Sequence, residues 1–407
     1  MTDFDVNFKR MLTDDKTTFL SRQSKEDFGM RRLPISEMKL FVGQSVAIYG
    51  TEEQKKVPRA IKVAELWVYR PEAHDVGSIA VIDSVLPPSG GTSADRLIRA
   101  DGYIIRITPK TETKFVQPLS SAADIGTNVV VKYRGVWQTD GVVVAKSAVF
   151  YKNQVSERMS RLREHWDYDP NTVPADSHQS LLSKGFRGMD ASQFPTHKDA
   201  AMQERINAIG GKLVPAYQKS LAAGDPTRID FRFHLIDAPN IRDAFPLPSG
   251  IILVPYQVVE RMQNDSQLAA VLADKIACLM EQQPIALPLT NGQVAGSLGM
   301  TAASFVPFAG LGVAGFELGA GISVANQMNR NREQRERVSL PLMLDAGYDL
   351  MEAPKAWWIL SAKRPVELDK TNPPEASKYM YDLVGNRLDA ARTMDRAGRD
   401  SLERSNQ

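Results

Sequence analysis

Two stretches of the chain are written to one pattern. Residues 42 to 50 read VGQSVAIYG and continue, after a polar turn, into AIKVAELWVY at 60 to 69; residues 125 to 135 read IGTNVVVKYRG and continue, after WQTD, into GVVVAKSAVFY at 141 to 151. Each has a glycine, a run of alternating apolar and polar residues, a polar turn, and a second alternating run ending in an aromatic. Side chains alternate across a strand, so a period of two implies one buried face, and two such runs around a turn predict a β-hairpin. A chain that carries the pattern twice has two sheets to bury.

Upstream of the second hairpin, GSIAVIDSVLP (77 to 87) and RLIRADGYIIRITPKTETKF (97 to 115) predict about three more strands by the same alternation. That number of short strands suits a small, partly open barrel of OB-like type, a closure that removes sticky edges. DVNFKRMLTDDKTTFLS (5 to 21) shares the rhythm of RADGYIIRITPKTETKF, but nothing before it supplies a first strand. The expectation is an incomplete β module over 1–72, with Met1 an internal start or a chosen one, and a complete OB-like module over 73–152. A missing upstream piece would hold the absent strand and could hold a leader or lipid anchor. The N-terminus as given, MTDFDVNFKRMLTDDK, has no apolar leader.

Charge excludes one partner class at the level of the whole chain. Fifty basic residues against 48 acidic leave a net charge of +2, so no global field recruits nucleic acid or an anionic membrane. Trp67, Tyr69, Tyr103, Tyr133 and Trp137 fall in strands without Lys or Arg clustered around them, which reads as barrel core and rim and not as a nucleic-acid face. The single cysteine, Cys278, excludes an intramolecular disulfide framework and zinc sites built of several cysteines. Residues 153–195, polar and irregular after a charged helix at NQVSERMSRLREHW, read as a connector.

From residue 196 the pattern changes. Ile206, Ile209, Leu213 and Tyr217 form a helical stripe, RIDFRFHLIDAP (228 to 239) alternates as a strand, and SGIILVP (249 to 255) is a second strand. NIRDAFPLPSG lies between the strands, and helices follow at YQVVERM and DSQLAAVLADKIACLMEQQ. In the last of these, Leu268, Val271, Leu272, Ile276 and Leu279 make a stripe that buries one face.

This succession of helix, strand, DAFPLPSG turn, strand, helix and helix resembles the gluzincin zinc metallopeptidases of the CAAX prenyl endopeptidase, HtpX and BepA type, over about residues 196 to 360. The resemblance implies an α+β protein: N-terminal OB-like β-barrel modules, then a mainly helical zincin-like domain with a small β-sheet over 196–407. It also implies that the turn, NAFALPGG in the family, leads into an edge strand able to pair with an extended substrate. The next long helix should carry H-E-x-x-H, whose two histidines, one turn apart, bind zinc while the glutamate takes a proton from zinc-bound water. A third ligand comes from a later helix, in a segment resembling E-x-x-A-D ahead of A-G-Y-D.

Carried over residue by residue, the first histidine falls on Asp274, the catalytic glutamate on Lys275 and the second histidine on Cys278. Counting back from Ala346-Gly347-Tyr348-Asp349, the third ligand falls on Arg332 and the later aspartate on Glu336; a slip of one offers Glu333. Each change works against peptidase chemistry. An ammonium at Lys275 is no base and repels a dication, and Arg332 only donates. Asp274 and Cys278 could share a metal with Glu333, but two ligands beside a lysine make a poor site. A salt bridge between Asp274 and a basic residue such as Arg332 is expected to tie the helices where metal would. His74, His165, His178, His197 and His234 offer no i, i+4 pair.

The expected function is therefore that of a catalytically inactive peptidase homologue without a cofactor. It would hold a peptide or protein segment along Gly250, Ile251, Ile252, Leu253 and Val254 by strand addition, with Phe245 and Leu247 shaping the entrance. The alternatives are an active zinc endopeptidase with atypical ligands and a cell-envelope scaffold. Gln282 to Phe316 carries no charge and is rich in Gly, Ala and Ser, which predicts a buried or surface-seeking hairpin over 283–326 with peripheral membrane contact. Together with the incomplete first module, the resemblance suggests the cell envelope or periplasm.

Overall fold

Strand alternation in the first 69 residues produces a six-stranded sheet: β1 (Phe4–Val6), β2 (Lys9–Leu12), β3 (Thr18–Arg22), β4 (Arg31–Arg32), β5 (Val46–Glu53) and β6 (Ala60–Tyr69). The structure, a computed structural model, describes those strands and Thr17, then 73–87, 95–167, 195–238, 241–283, 285, 324–362 and the pairs 376–377, 379–380 and 383–384. β6 is the hub of the sheet. β2 and β3 run parallel to its two ends, β5 pairs antiparallel along its other edge, β1 pairs with β2, and β4 with β3.

The second module closes. β7 (His74–Leu86), β8 (Arg96–Ala100), β9 (Tyr103–Ile107), β11 (Val129–Trp137) and β12 (Val142–Lys152) form a ring in the order β7-β8-β9-β12-β11, and β11 returns to β7. β9 and β12 are its one parallel pair; β10 (Glu112–Phe115) lies parallel to the far end of β12. This is a closed five-stranded, OB-like barrel. Its interior is filled by alternate residues: Ile82, Ile98, Ile105, Val131, Tyr133 and Phe150 are all buried. β8 turns into β9 through Asp101 (φ 54°) and Gly102 (φ 72°), an Asp-Gly pair that suits the left-handed conformation of a two-residue hairpin.

The two modules share one register. A shift of 94 residues carries β1, β2 and β3 onto β8, β9 and β10 (Phe4 onto Ile98), and the Phe4–Met11 pair becomes Ile98–Ile105. A shift of 82 carries β6 onto β12 (Ala60 onto Val142), and the parallel pairs Met11–Ile61 and Thr18–Glu65 become Ile105–Val143 and Glu112–Ser147. Even the bulge is repeated: Ala64 is the extra residue of β6 opposite Tyr49-Gly50, and Lys146 that of β12 opposite Arg134-Gly135. The first sheet is thus the second module's pattern without a counterpart of β7 among the described residues.

The helical half follows α1 (Glu157–His165). It comprises α2 (Ala200–Leu213), α3 (Ala216–Ser220), β13 (Arg232–Ile236), β14 (Phe245–Pro246), β15 (Ile251–Pro255), α4 (Tyr256–Arg261), α5 (Asp265–Met280), α6 (Val324–Asp345) and α7 (Glu352–Ser361). The three strands stand in the order β13-β15-β14. One face of this sheet packs on Trp166 and Leu162 from α1 and its end, through Ile236, Phe245, Leu247, Ile251 and Leu253. The other face, with Phe233, Leu235, Ile252 and Val254, joins the main core with α2 and α5.

One expectation changes here. The strand at 251–255 is the middle of its sheet and not an edge: β13 pairs on one side and Phe245 and Pro246 on the other, because 245–253 folds back as a hairpin over Gly250 (φ 105°). α5 carries its apolar stripe on one face and is buried on the others too, from Gln267 to Met280, because α2, α6 and α7 surround it.

The uncharged stretch falls almost wholly outside the described residues, as do His178, the middle of the connector and the end of the tail. No helix among the described residues is long and apolar enough to cross a membrane.

Candidate functional site

α5 begins where Asn264 accepts a hydrogen bond from the Gln267 amide, and its apolar girth forces whatever polar residues it carries into the core. Asp274 and Lys275 are therefore buried, with side chains 2% and 8% exposed. Buried charges need partners, and these have them. Lys275 Nζ donates to Asp274 Oδ2 at 2.9 Å and to Asp243 Oδ2 at 2.7 Å, just before β14, and lies 5.4 Å from the centre of the Trp357 ring. The other Asp274 oxygen accepts from Arg335 Nε of α6 at 3.3 Å.

From Arg335 a line of hydrogen bonds leads out of the helical core. Arg335 Nη1 donates to Gln283 Oε1 at 3.0 Å, Gln283 Nε2 to Gln334 Oε1 at 2.9 Å, and Gln334 Nε2 to the Ile79 carbonyl of β7 at 2.8 Å. One turn away, Arg332 Nε stands 3.5 Å from Glu336 Oε1. The cluster thus spans α5, the approach to β14, α6 and the barrel wall.

Its electrostatics oppose hydrolytic chemistry. Burial works against ionisation of Asp274, yet Lys275 and Arg335 outweigh it and hold the carboxyl below its ordinary range. Burial also opposes the charge on Lys275, but Asp243 and Asp274 raise its pKa above the ordinary lysine value, so it stays an ammonium. Burial pushes the Cys278 thiol up, which leaves it protonated and a poor ligand or nucleophile. Glu336 is pushed up to about 8 by burial, then by the Asp274 charge.

A zinc ion does not fit this donor set. The carboxylate that would ligate it is saturated by two cations, and the remaining donor beside it is a protonated thiol. Among the described residues no group of three His, Cys, Asp or Glu side chains is gathered in one place.

Of the residues singled out from sequence, the structure brings Asp274, Lys275 and Cys278 to the cluster. It pairs Arg332 with Glu336 and places Arg335 against Asp274 instead, because Arg335, three residues on, is on the α6 face turned to α5. Phe245, Leu247, Gly250, Ile251, Ile252, Leu253 and Val254 are all buried. They build the sheet, with the β15 backbone paired to β13 on one side and to β14 on the other. Among the described histidines, His74 stacks on Trp137, His197 stacks on Tyr256, and His234 Nε2 is 3.0 Å from Thr196 Oγ1. Sequence reasoning missed Asp243, Gln283 and Arg335; the signal for Arg335 was the third residue after Arg332, on a helix already chosen.

No family model matches the chain, and no curated protein matches it either.

Proposed function

We propose that the chain is a catalytically inactive peptidase homologue that holds a protein segment without cutting it. The observation that carries this reading is the pairing of Lys275 with Asp243 and Asp274, at the position where the resemblance puts the catalytic glutamate. A hydrolase of that type needs a base and a Lewis acid at this point, and the chain offers an ammonium and two neutralised carboxylates. The alanine of the E-x-x-A-D segment falls on Arg335 under the same counting, so a long cation takes the place of a methyl group beside Asp274. Of the positions that would have bound metal, Asp274 is held by Lys275 and Arg335, and Arg332 stands beside Glu336.

The strand edge that supports the binding half of the reading is that of β14. Leu247 N–H donates to the Ile251 carbonyl, so in this hairpin odd residues face β15, and the backbone groups of Ala244 and Pro246 point to the other side. Pro246 offers only a carbonyl, leaving Ala244 as the donor for an added strand. Exposed Arg242 and half-exposed Asp243 stand at the start of this edge.

Reduced, carboxymethylated lactalbumin serves as an unfolded probe. Saturable binding with an intact probe mass after prolonged incubation, and slower hydrogen exchange at the Ala244 amide, is the expected result. Cleavage of the probe, or binding that leaves the Ala244 amide unchanged, contradicts the proposal.

A further inference from the structure

We propose that Glu281 is a proton-operated latch between the barrel and the helices, closed while its carboxyl keeps a proton and loosened when the proton leaves. Glu281 caps the C-terminal end of α5 and is 1% exposed. Its Oε2 accepts the Val81 amide of β7 at 3.2 Å. Strand geometry explains the contact. The Ile82 carbonyl accepts from the Asn128 amide on the β11 side, so the Val81 N–H points to the opposite edge, toward β8. β8 ends at Ala100, opposite Ile82, and the chain turns away through Asp101 and Gly102. The Val81 amide therefore meets no strand carbonyl, and a side chain from α5 takes that place. Two neutral neighbours grip the same wall. Gln282 Nε2 donates to Asn153 Oδ1 at 2.9 Å, just past β12, and Gln283 reaches the Ile79 carbonyl through Gln334. Neither amide changes charge with pH, so of these three consecutive residues only Glu281 responds to protons.

An ionised Glu281 would stand in the seam with one hydrogen bond and no counter-charge of its own. The titratable and charged groups that face it are Asp83 of β7, Asp101 of the β8–β9 turn, Tyr217 of α3 and Arg337 of α6. The cations there are committed: Arg99 lies 2.6 Å from Asp83, and Arg337 lies 2.7 Å from Asp101. The carbonyl end of α5 disfavours a negative charge as well. Burial first, then the Asp101 charge, push the carboxyl well above its ordinary range. Such a group keeps its proton while the seam is closed and releases it once water enters. The closed seam is favoured most fully below the ordinary value of 4.5, and as pH rises the open seam gains up to about tenfold per pH unit until the closed-state value is passed. The hold of the barrel on the helix that carries Asp274 and Lys275 thus depends on pH. No part of this rests on the peptidase resemblance.

The test is hydrogen exchange of the full chain, resolved to single amides and expressed as protection against the intrinsic rate at each pH. Val81 is expected to be less protected than Leu272 inside α5, and to lose up to about tenfold in protection per unit between about pH 5 and 8. Glu281→Gln, a neutral acceptor of the same shape, is expected to keep Val81 protection level over that range, while Glu336→Gln leaves the fall in place. Val81 protection that is level in the unsubstituted chain, that falls equally in Glu281→Gln, or that stops falling in Glu336→Gln overturns the proposal. So does equal protection at Val81 and Leu272 at every pH, since the whole chain and not the seam would then be opening. Should Glu281→Gln fail to fold, carbon-13 titration of the Glu281 carboxyl in the unsubstituted chain decides: a midpoint well above 4.5 supports the latch, and an ordinary one overturns it.

Discussion

Lys275 is the residue on which the site turns. Its ammonium neutralises Asp274 on one side and Asp243 on the other, while Arg335 takes the second Asp274 oxygen. Removing one member leaves the rest uncompensated in the core, which costs about 3 kcal/mol or more, whereas an apolar replacement of the whole set is far milder. Lys275→Met is expected to lose about 3 kcal/mol in urea unfolding, and a loss under ~1 kcal/mol would show that the pairs are idle. Glu336 sets a different signature. Its folded pKa of about 8 lies above the ordinary 4.5, so between those values the folded state keeps a proton that the unfolded state has released. Stability contributed by that proton is complete below about pH 4.5 and is lost as pH rises toward 8, at up to ~1.4 kcal/mol per pH unit. Asp274 acts in the opposite sense: its lowered pKa gives stability above its ordinary value that is lost only as pH falls through the folded one. Glu336→Gln is therefore expected to flatten the decline between pH 5 and 8 in denaturation curves; an unchanged slope contradicts the assignment.

At the scale of elements, most of the β structure was legible and the surroundings of the helices were not. Period-two alternation of apolar and polar residues places β5, β6, β11 and β12, because that pattern is written along a single strand. The order of β13, β15 and β14 depends on how 245–253 folds back, which no periodicity encodes, so a strand expected at the edge proves central. Likewise a stripe of Leu and Val on α5 marks one buried face; that Ala269, Ala273 and Ala277 are also fully buried depends on α6 and α7 arriving from more than 40 residues away. Asp274, Lys275 and Cys278 were findable by position on that helix, but Arg335 was not chosen over Arg332 because one turn of α6 separates them and only packing decides which faces α5. The Asp101-Gly102 turn joins the two levels. A Cβ at Gly102 would lie 2.2 Å from the Arg337 carbonyl oxygen, at a φ of 72°. Gly102→Ala is expected to cost about 2 kcal/mol or more in thermal unfolding, combining left-handed strain with a backbone clash; a neutral result would mean that the barrel does not press on α6.

The molecule is built so that barrel and helices share a core. Val81 and Val130 pack into the helical cluster, Oε2 of the buried Glu281 carboxyl accepts the Val81 amide at 3.2 Å, and Arg99 bridges Asp83 and Asp345. Arg337 of α6 donates to Asp101 Oδ1 at 2.7 Å, while Tyr133 donates to the other oxygen. Calorimetry is expected to show these parts unfolding together, and Arg337→Met, which strips a buried carboxylate of its cation, to split or broaden the transition. Two independent transitions in the unsubstituted chain would contradict that coupling. The proposed reading puts a network of charges where a peptidase of the resembled type keeps its metal. Zinc per chain is the decisive quantity, measured by elemental mass spectrometry on protein expressed in zinc-supplemented medium and dialysed without chelator. No stoichiometric zinc is expected; one zinc per chain, lost in Asp274→Ala, would contradict the reading.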